Sequence, residues 1–122
     1  MRAKDAVGRY GERVAADHLT AAGMQILDRN WRCSGGELDI VARDGRTIVF
    51  VEVKTRSSLA YGDPAEALNR DKVSRIRGLA VRWLQEHPAR TGERRSELRF
   101  DVISVLRNAQ GPATVRHLRA AF

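Results

Sequence analysis

Small and apolar residues recur at helical spacing near the start of the chain. Val7, Gly11, Val14, Ala15, His18, Leu19 and Ala22 fall on one stripe and predict a helix over residues 3–22, with Gly23 where a C-terminal cap belongs. At roughly 100° per residue, Glu12 borders that stripe instead of projecting straight into water. The pattern then shortens. Residues 24–32 (MQILDRNWR) predict a strand, turn-prone Ser34-Gly35-Gly36 follows, and residues 37–42 and 47–55 predict two more strands. Asp44-Gly45 between these reads as a two-residue type I′ turn. In GDPAEAL, Asp63 as cap, Pro64 as first helical residue and Glu66 as capping-box partner predict a helix start. A long helix is expected from about Asp71 to His87, with Val73, Ile76, Ala80, Trp83 and Leu84 on its apolar stripe and Pro88 ending it. After a polar loop, residues 98–106 and 113–121 read as two last strands, the second with the weaker pattern.

The expected order is therefore α-β-β-β-α-β-β. A helix between the third and fourth strands implies a crossover and at least one parallel pair, hence an α/β fold with a mixed sheet flanked by helices. With 122 residues and no internal repeat, a single domain over residues 1–122 is expected.

The hairpin sets the chemistry. With Asp44-Gly45 as its loop, Arg43 pairs with Arg46, Asp39 with Phe50 and Glu37 with Glu52. Alternation then gives one face to Glu37, Asp39, Phe50, Glu52 and Lys54, and the other, the main core side, to Leu38, Ile40, Val49, Val51 and Val53. Three carboxylates in one patch repel one another and raise their pKa values. A divalent cation removes the conflict, and Mg²⁺ suits oxygen donors of this kind while leaving room for water and a phosphate oxygen. Such an ion activates water and neutralises charge on a phosphodiester, and the Lys54 ammonium can position the water or steady developing charge. The other reading is an ordinary polar sheet face on which Glu52 and Lys54 form a surface pair. Phe50 on the same face, and helices expected on both sides, argue against it.

Composition sharpens the choice of partner. Net charge is +7 with a pI near 10.7, which suits nucleic acid, an anionic membrane or an acidic protein. No basic amphipathic helix with bulky apolar anchors and no membrane-spanning run is present, so no membrane partner is expected. Only Lys4, Lys54 and Lys72 among the 22 basic residues are lysine, which marks Lys54 as a place where a compact, titratable charge is wanted. Arg56 at the strand end, and Lys72 and Arg75 one turn apart on the long helix, are candidate phosphate contacts; each reads also as a solvated charge. Aromatic residues are 6 % of the chain, too few for an extended base-stacking platform. His18, His87 and His117 show no zinc spacing, and Asp101 on its strand reads as a structural partner for an arginine. A single cysteine, Cys33, and a first stretch without a secretory h-region point to a reducing cytoplasm.

Asp39, twelve intervening residues, and Glu52-Val53-Lys54 resemble the PD-(D/E)XK signature of restriction-endonuclease-like nucleases, with Leu38 in place of the proline. GRYGERVAADHLTAAGMQILDRNWR, GGELDIVARDG, VFVEVKTRSS, YGDPAEALNRDKVSRIRGLA and LRFDVISV together resemble the YraN family of bacterial proteins over almost the whole chain. That family is regarded as similar in fold and motif to archaeal Holliday-junction resolvases. The resemblance implies a restriction-endonuclease-like core. It also implies Asp39 and Glu52 as ligands of Mg²⁺ or Mn²⁺, the Val53 carbonyl as a further ligand and Lys54 as the catalytic lysine. Glu12 matches the acidic residue that related nucleases carry on their first helix, and reads equally as half of an ion pair with a nearby arginine; Glu37 ranks as a supporting or switchable ligand. The expected activity is metal-dependent hydrolysis of phosphodiester bonds in DNA, branched or structured DNA included. A non-catalytic nucleic-acid-binding module and a partner-dependent subunit remain the alternatives. Junction resolution takes two cuts and would favour a homodimer, for which the sequence names no interface.

Overall fold

In the computed structural model, residues 3–57, 68–88 and 97–122 are described, residues 3–5 by their backbone alone. The expected helix start at Asp63, Pro64 and Glu66 lies outside the described residues. The elements are α1 (Ala3–Ala21), β1 (Gln25–Cys33), β2 (Gly36–Asp44), β3 (Thr47–Arg56), α2 (Arg70–Glu86), β4 (Glu97–Leu106) and β5 (Thr114–Leu118). The order is the one expected. The five described strands form one mixed sheet, β1-β2-β3-β4-β5, whose parallel pair is β3 with β4, across the connection that carries α2.

The two helices cover opposite faces. Ala15, Ala16 and Leu19 of α1 pack on Ile40, Ala42, Val49, Val51, Ile103 and Val105. Ile76, Leu79, Ala80 and Trp83 of α2 pack on Leu38, Val41, Ile48 and Phe50. Phe50 and Trp83 are fully buried with their rings edge to face at 5.9 Å, a favoured aromatic geometry. The sheet therefore has two core faces, not one core face and one polar face. Gly23 has φ +90°, and the Met24 N–H bonds the Leu19 carbonyl, as a glycine C-cap of α1 should. Asn69 caps α2 through its side chain, which accepts the Lys72 N–H at 2.9 Å. No described helix is long and apolar enough to cross a membrane.

The hairpin register differs from expectation by one step of the turn. Asp44 pairs with Thr47, so Gly45 and Arg46 form the loop, and Arg43 faces Ile48 instead of Arg46. The reason is conformational. A type I′ turn at Asp44-Gly45 needs positive φ at both residues, and only Gly45 (φ +62°) has it; glycine first with an ordinary residue second is the type II′ arrangement. Phe50 consequently pairs with Val41 and not Asp39, and the ladder ends at Ile40 and Val51. One step beyond, Asp39 stands opposite Glu52, and Glu37 no longer does. The turn slides by one residue but the pairing sum changes by two, so the side-chain faces of β3 stay as expected.

A second departure lies on β2. Leu38 belongs to the α2-side core and Ile40 to the α1-side core, although two residues apart on a regular strand share a face. The strand therefore turns over at Asp39. Its neighbour β1 carries Asn30 with φ 53° between the pairs Arg29–Ile40 and Trp31–Leu38. Asparagine is among the few non-glycine residues that adopt this left-handed conformation readily.

Candidate functional site

Where β2 leaves the β3 ladder, the Asp39 carboxylate takes the place a backbone carbonyl would have filled. Its Oδ2 accepts the Val53 N–H at 2.9 Å, so the side chain lies along the direction of the sheet's own hydrogen bonds. From there it is reachable from both faces, and acidic groups approach it from both.

On the α1 side, carboxylate oxygens of Glu12, Glu37 and Asp39 lie within 4.8 Å of one another, all three residues part-buried. The Glu12 pKa is raised, chiefly by burial and further by Glu37, against a hydrogen bond from the Asn30 side chain and the charges of Arg29 and Arg32. Glu37 is also paired with Arg32 Nε at 3.4 Å. On the α2 side, Glu52 Oε1 meets Lys72 Nζ at 3.0 Å and Lys54 Nζ at 3.3 Å. Burial first, then the neighbouring Lys72, pushes the Lys54 pKa down against the pull of Glu52. The Lys72 pKa is pushed up: burial opposes its charge, and the hydrogen bonds to Lys54 and Glu52 outweigh it.

Asp39 joins the two halves. Its pKa is raised to about 7, by burial first, then by the charges of Glu52, Glu12 and Glu37, with the Val53 N–H pulling the other way. A part-buried carboxyl among three others holds its proton to near neutrality, because its charged form is poorly solvated and repelled. The donor set is entirely oxygen and part-buried, and three of its atoms are close enough to share one ion. This fits a hard divalent cation such as Mg²⁺ or Mn²⁺, whose binding would displace the proton that Asp39 otherwise keeps.

The expected residues thus gather at one point of the sheet with a different internal arrangement. Asp39, Glu12 and Glu37 form the compact acidic group. Glu52 stands across from it, held by two lysines. The Val53 amide orients Asp39, a role distinct from the carbonyl role that the resemblance implied. Lys72 and Arg75 do not make a row: Lys72 turns onto Glu52, while Arg75 is exposed with its stem beside Gly36. Arg56 is half-buried at the end of β3, its carbonyl accepting the Arg107 N–H at 2.8 Å.

Two features escaped the sequence. Asn30 reaches Glu12 from a strand in which asparagine is a poor fit, and that misfit is the signal that could have marked it. The Glu52–Lys54 pair is one of the readings of the strand face, but its third member, Lys72, comes from α2, and the scarcity of lysine is the only trace of it. Elsewhere, Asp101 has the structural role expected: Arg99 Nε and Nη2 donate to its two oxygens at 2.9 and 3.0 Å. His18 and His117, 99 residues apart, stand 3.2 Å from each other, with His117 Nε2 at 2.7 Å from Asp101 Oδ2.

The chain matches the model of a family described as "Uncharacterised protein family UPF0102" over residues 11–105, a span holding every acidic and lysine residue of the site. It is similar to a UPF0102 protein of Beutenbergia cavernae, 60 % identical over 98 % of both chains. A UPF0102 protein of Frankia casuarinae is 58 % identical over the full length of both, and one of an Arthrobacter species is 52 % identical over 98 % of both. With a family match over most of its length and relatives this close along all of it, the chain belongs to the UPF0102 family.

Proposed function

We propose that this protein is a divalent-metal-dependent nuclease that hydrolyses phosphodiester bonds in DNA. The observation that carries the reading is Asp39, a part-buried carboxylate set between an acidic group and a lysine-bound glutamate, with its pKa raised to about 7. Glu12, Glu37 and Asp39 would hold the cation, with Glu52 across from them. The cation would supply charge neutralisation on a phosphate oxygen and a more acidic water.

The chain's own groups do the rest. The Val53 amide keeps Asp39 directed into the gap between β2 and β3. Lys54, with its pKa lowered by burial, is a donor that can steady negative charge on the phosphate and is readier than a free lysine to exchange a proton. Lys72 holds the Glu52 carboxylate against the α2 side. The excess of basic residues supplies affinity for the backbone without sequence choice. A reducing cytoplasm, with DNA and free Mg²⁺, suits this chemistry and a lone thiol.

The test is a cleavage assay on single-stranded, duplex, flap and four-way DNA with Mg²⁺ and with Mn²⁺. Metal-dependent products are expected from the native chain and none from Asp39→Ala, Glu52→Ala or Lys54→Ala, each shown to be folded by circular dichroism. Salt-sensitive DNA binding with no product under any metal would make the protein a binding module instead. Products that persist in all three variants would refute the site.

A further inference from the structure

The acidic group borders a cavity that the cation chemistry does not use. It has a volume of about 360 Å³ and is lined by Val7, Gly8 and Glu12 of α1 and by Val53, Thr55 and Arg56 of β3, with Ser57 at its outer rim. Its shape follows from two glycines. At Gly11 the helix presses on the strand, because a Cβ there would overlap the Thr55 side chain. One turn earlier, at Gly8, nothing lies within 4 Å of where a Cβ would be. Helix and strand touch at Gly11 and diverge towards Gly8, and the cavity is the wedge between them.

We infer that this wedge receives a single unstacked nucleotide of the DNA beside the bond to be cut, an inference that rests on the nuclease reading. The volume is at the lower end of the roughly 300–1,000 Å³ of small-ligand sites, enough for one nucleotide and too small for a base pair. The Val7 and Val53 side chains offer apolar walls for a base or sugar. Thr55, on the same face of β3 as Val53, and Ser57 just beyond the strand bring hydroxyls that can donate or accept. Glu12 belongs both to the cavity and to the acidic group, so a nucleotide in the wedge lies next to the cation site.

The substrate class follows. A base in a continuous duplex would have to leave the stack to enter, at a cost that an already unpaired base does not bear. The wedge therefore selects DNA with an unpaired nucleotide at the cut: single strands, flaps, gaps and branch points.

The experiment uses the full chain labelled with ¹⁵N and saturated with Mg²⁺, titrated with deoxyadenosine monophosphate and, separately, with inorganic phosphate. The nucleotide is expected to shift the Gly8, Val53, Thr55 and Ser57 amides and to bind at least tenfold tighter than phosphate. Gly8→Leu fills the wedge at a helical position that favours leucine over glycine. It should weaken the nucleotide at least tenfold while the Mg²⁺-induced shifts around Glu12, Glu37 and Asp39 persist. Ser57→Trp, plugging the opposite rim at an exposed residue, should do the same. In cleavage, a flap should be cut at least tenfold faster than continuous duplex, with the preference lost in Gly8→Leu. Nucleotide shifts elsewhere, equal binding of phosphate, or duplex and flap cut alike would overturn the wedge and leave the nuclease reading standing. Nucleotide binding in the wedge with no DNA cut under any metal would uphold the wedge and overturn the nuclease reading.

Discussion

Two aspartates on one sheet, Asp39 of β2 and Asp101 of β4, show how differently one fold can surround a carboxylate. Asp101 is fully buried and wrapped in donors: Arg99 on both oxygens, His117 at 2.7 Å and the Ala120 N–H at 3.0 Å. Burial alone would raise its pKa, yet these donors win and hold it below the usual carboxylate range. Asp39 faces three carboxylates with one backbone N–H in support, and its pKa goes the other way, to about 7, by burial first and then by those charges. Burial pushes both upward; the donors around Asp101 reverse it, and Asp39 has too few to do so. The first aspartate ties β4 to β5 and, through His117 and His18, to α1. The second leaves a deficit of positive charge that a ligand can fill.

The largest expected effect breaks the Asp101 side of this pair. Asp101→Ala leaves the Arg99 fork and His117 facing a buried gap, and should cost about 3–5 kcal/mol in urea-induced unfolding. Asp39→Asn should not destabilise the metal-free protein at neutral pH, because it removes repulsion instead of support. Equal losses from the two variants would mean that Asp39 is structural too.

Next in size is the effect of the cation. Mg²⁺ at 100 times its dissociation constant stabilises a protein that binds it only when folded by about 2.7 kcal/mol. A rise in melting temperature with Mg²⁺ or Mn²⁺ is therefore expected for the native chain and not for Asp39→Asn. A rise of the same size in both would place the ion elsewhere.

The pH dependence divides the two aspartates by sign. Asp39 has a folded pKa of about 7 against an ordinary value of 3.8, so the folded state holds its proton longer. Metal-free stability from this group is full below pH 3.8 and is lost as pH rises towards 7, by up to about 1.4 kcal/mol per pH unit for one proton. Asp101, with its pKa lowered, contributes stability above 3.8 that is lost as pH falls through its folded value. Asp39→Asn should flatten the slope between pH 4 and 7 and leave the acid limb alone. Denaturation curves across pH 3–8 check both limbs. A native chain with no slope between pH 4 and 7 that this variant changes would contradict the raised pKa.

Much of this was legible in the sequence, and the failures have physical causes. Helical period placed α1 and α2 to within a residue or two, and the change to alternation placed the strands. Side-chain parity put Glu52 and Lys54 on one face of β3, and that survived the register error because the pairing sum moved by two. The error came from the turn: Asp44-Gly45 favours type I′ by composition, while the chain needs positive φ only at Gly45. The turnover of β2 at Asp39 could not be read, since periodicity assumes a regular strand and the left-handed Asn30 lies on the neighbouring β1. The pairing of Lys72 with Glu52 depends on how α2 lies over the sheet, which no local pattern encodes.

The smallest effect tests that irregularity. Asn30 does two things at once: it adopts φ 53° and its side chain hydrogen-bonds Glu12. Two substitutions separate them. Asn30→Gly keeps the left-handed backbone open and removes the hydrogen bond. Asn30→Ala also removes the bond but keeps the Cβ, and with it the roughly 1–2 kcal/mol left-handed cost that the asparagine side chain offsets in part and glycine does not bear. If the backbone turn places Asp39, the alanine variant should lose about 1–2 kcal/mol more stability than the glycine one and bind Mg²⁺ less well. If the hydrogen bond to Glu12 is what matters, both variants should raise the Glu12 pKa alike, because that bond favours the charged form. Cation affinity would then fall equally in both, and by less at pH 8 than at pH 6, since a raised pKa leaves more of Glu12 protonated at the lower pH. Affinity unchanged in both variants at both pH values would detach Asn30 from the site and leave the turnover of β2 to Asp39 alone.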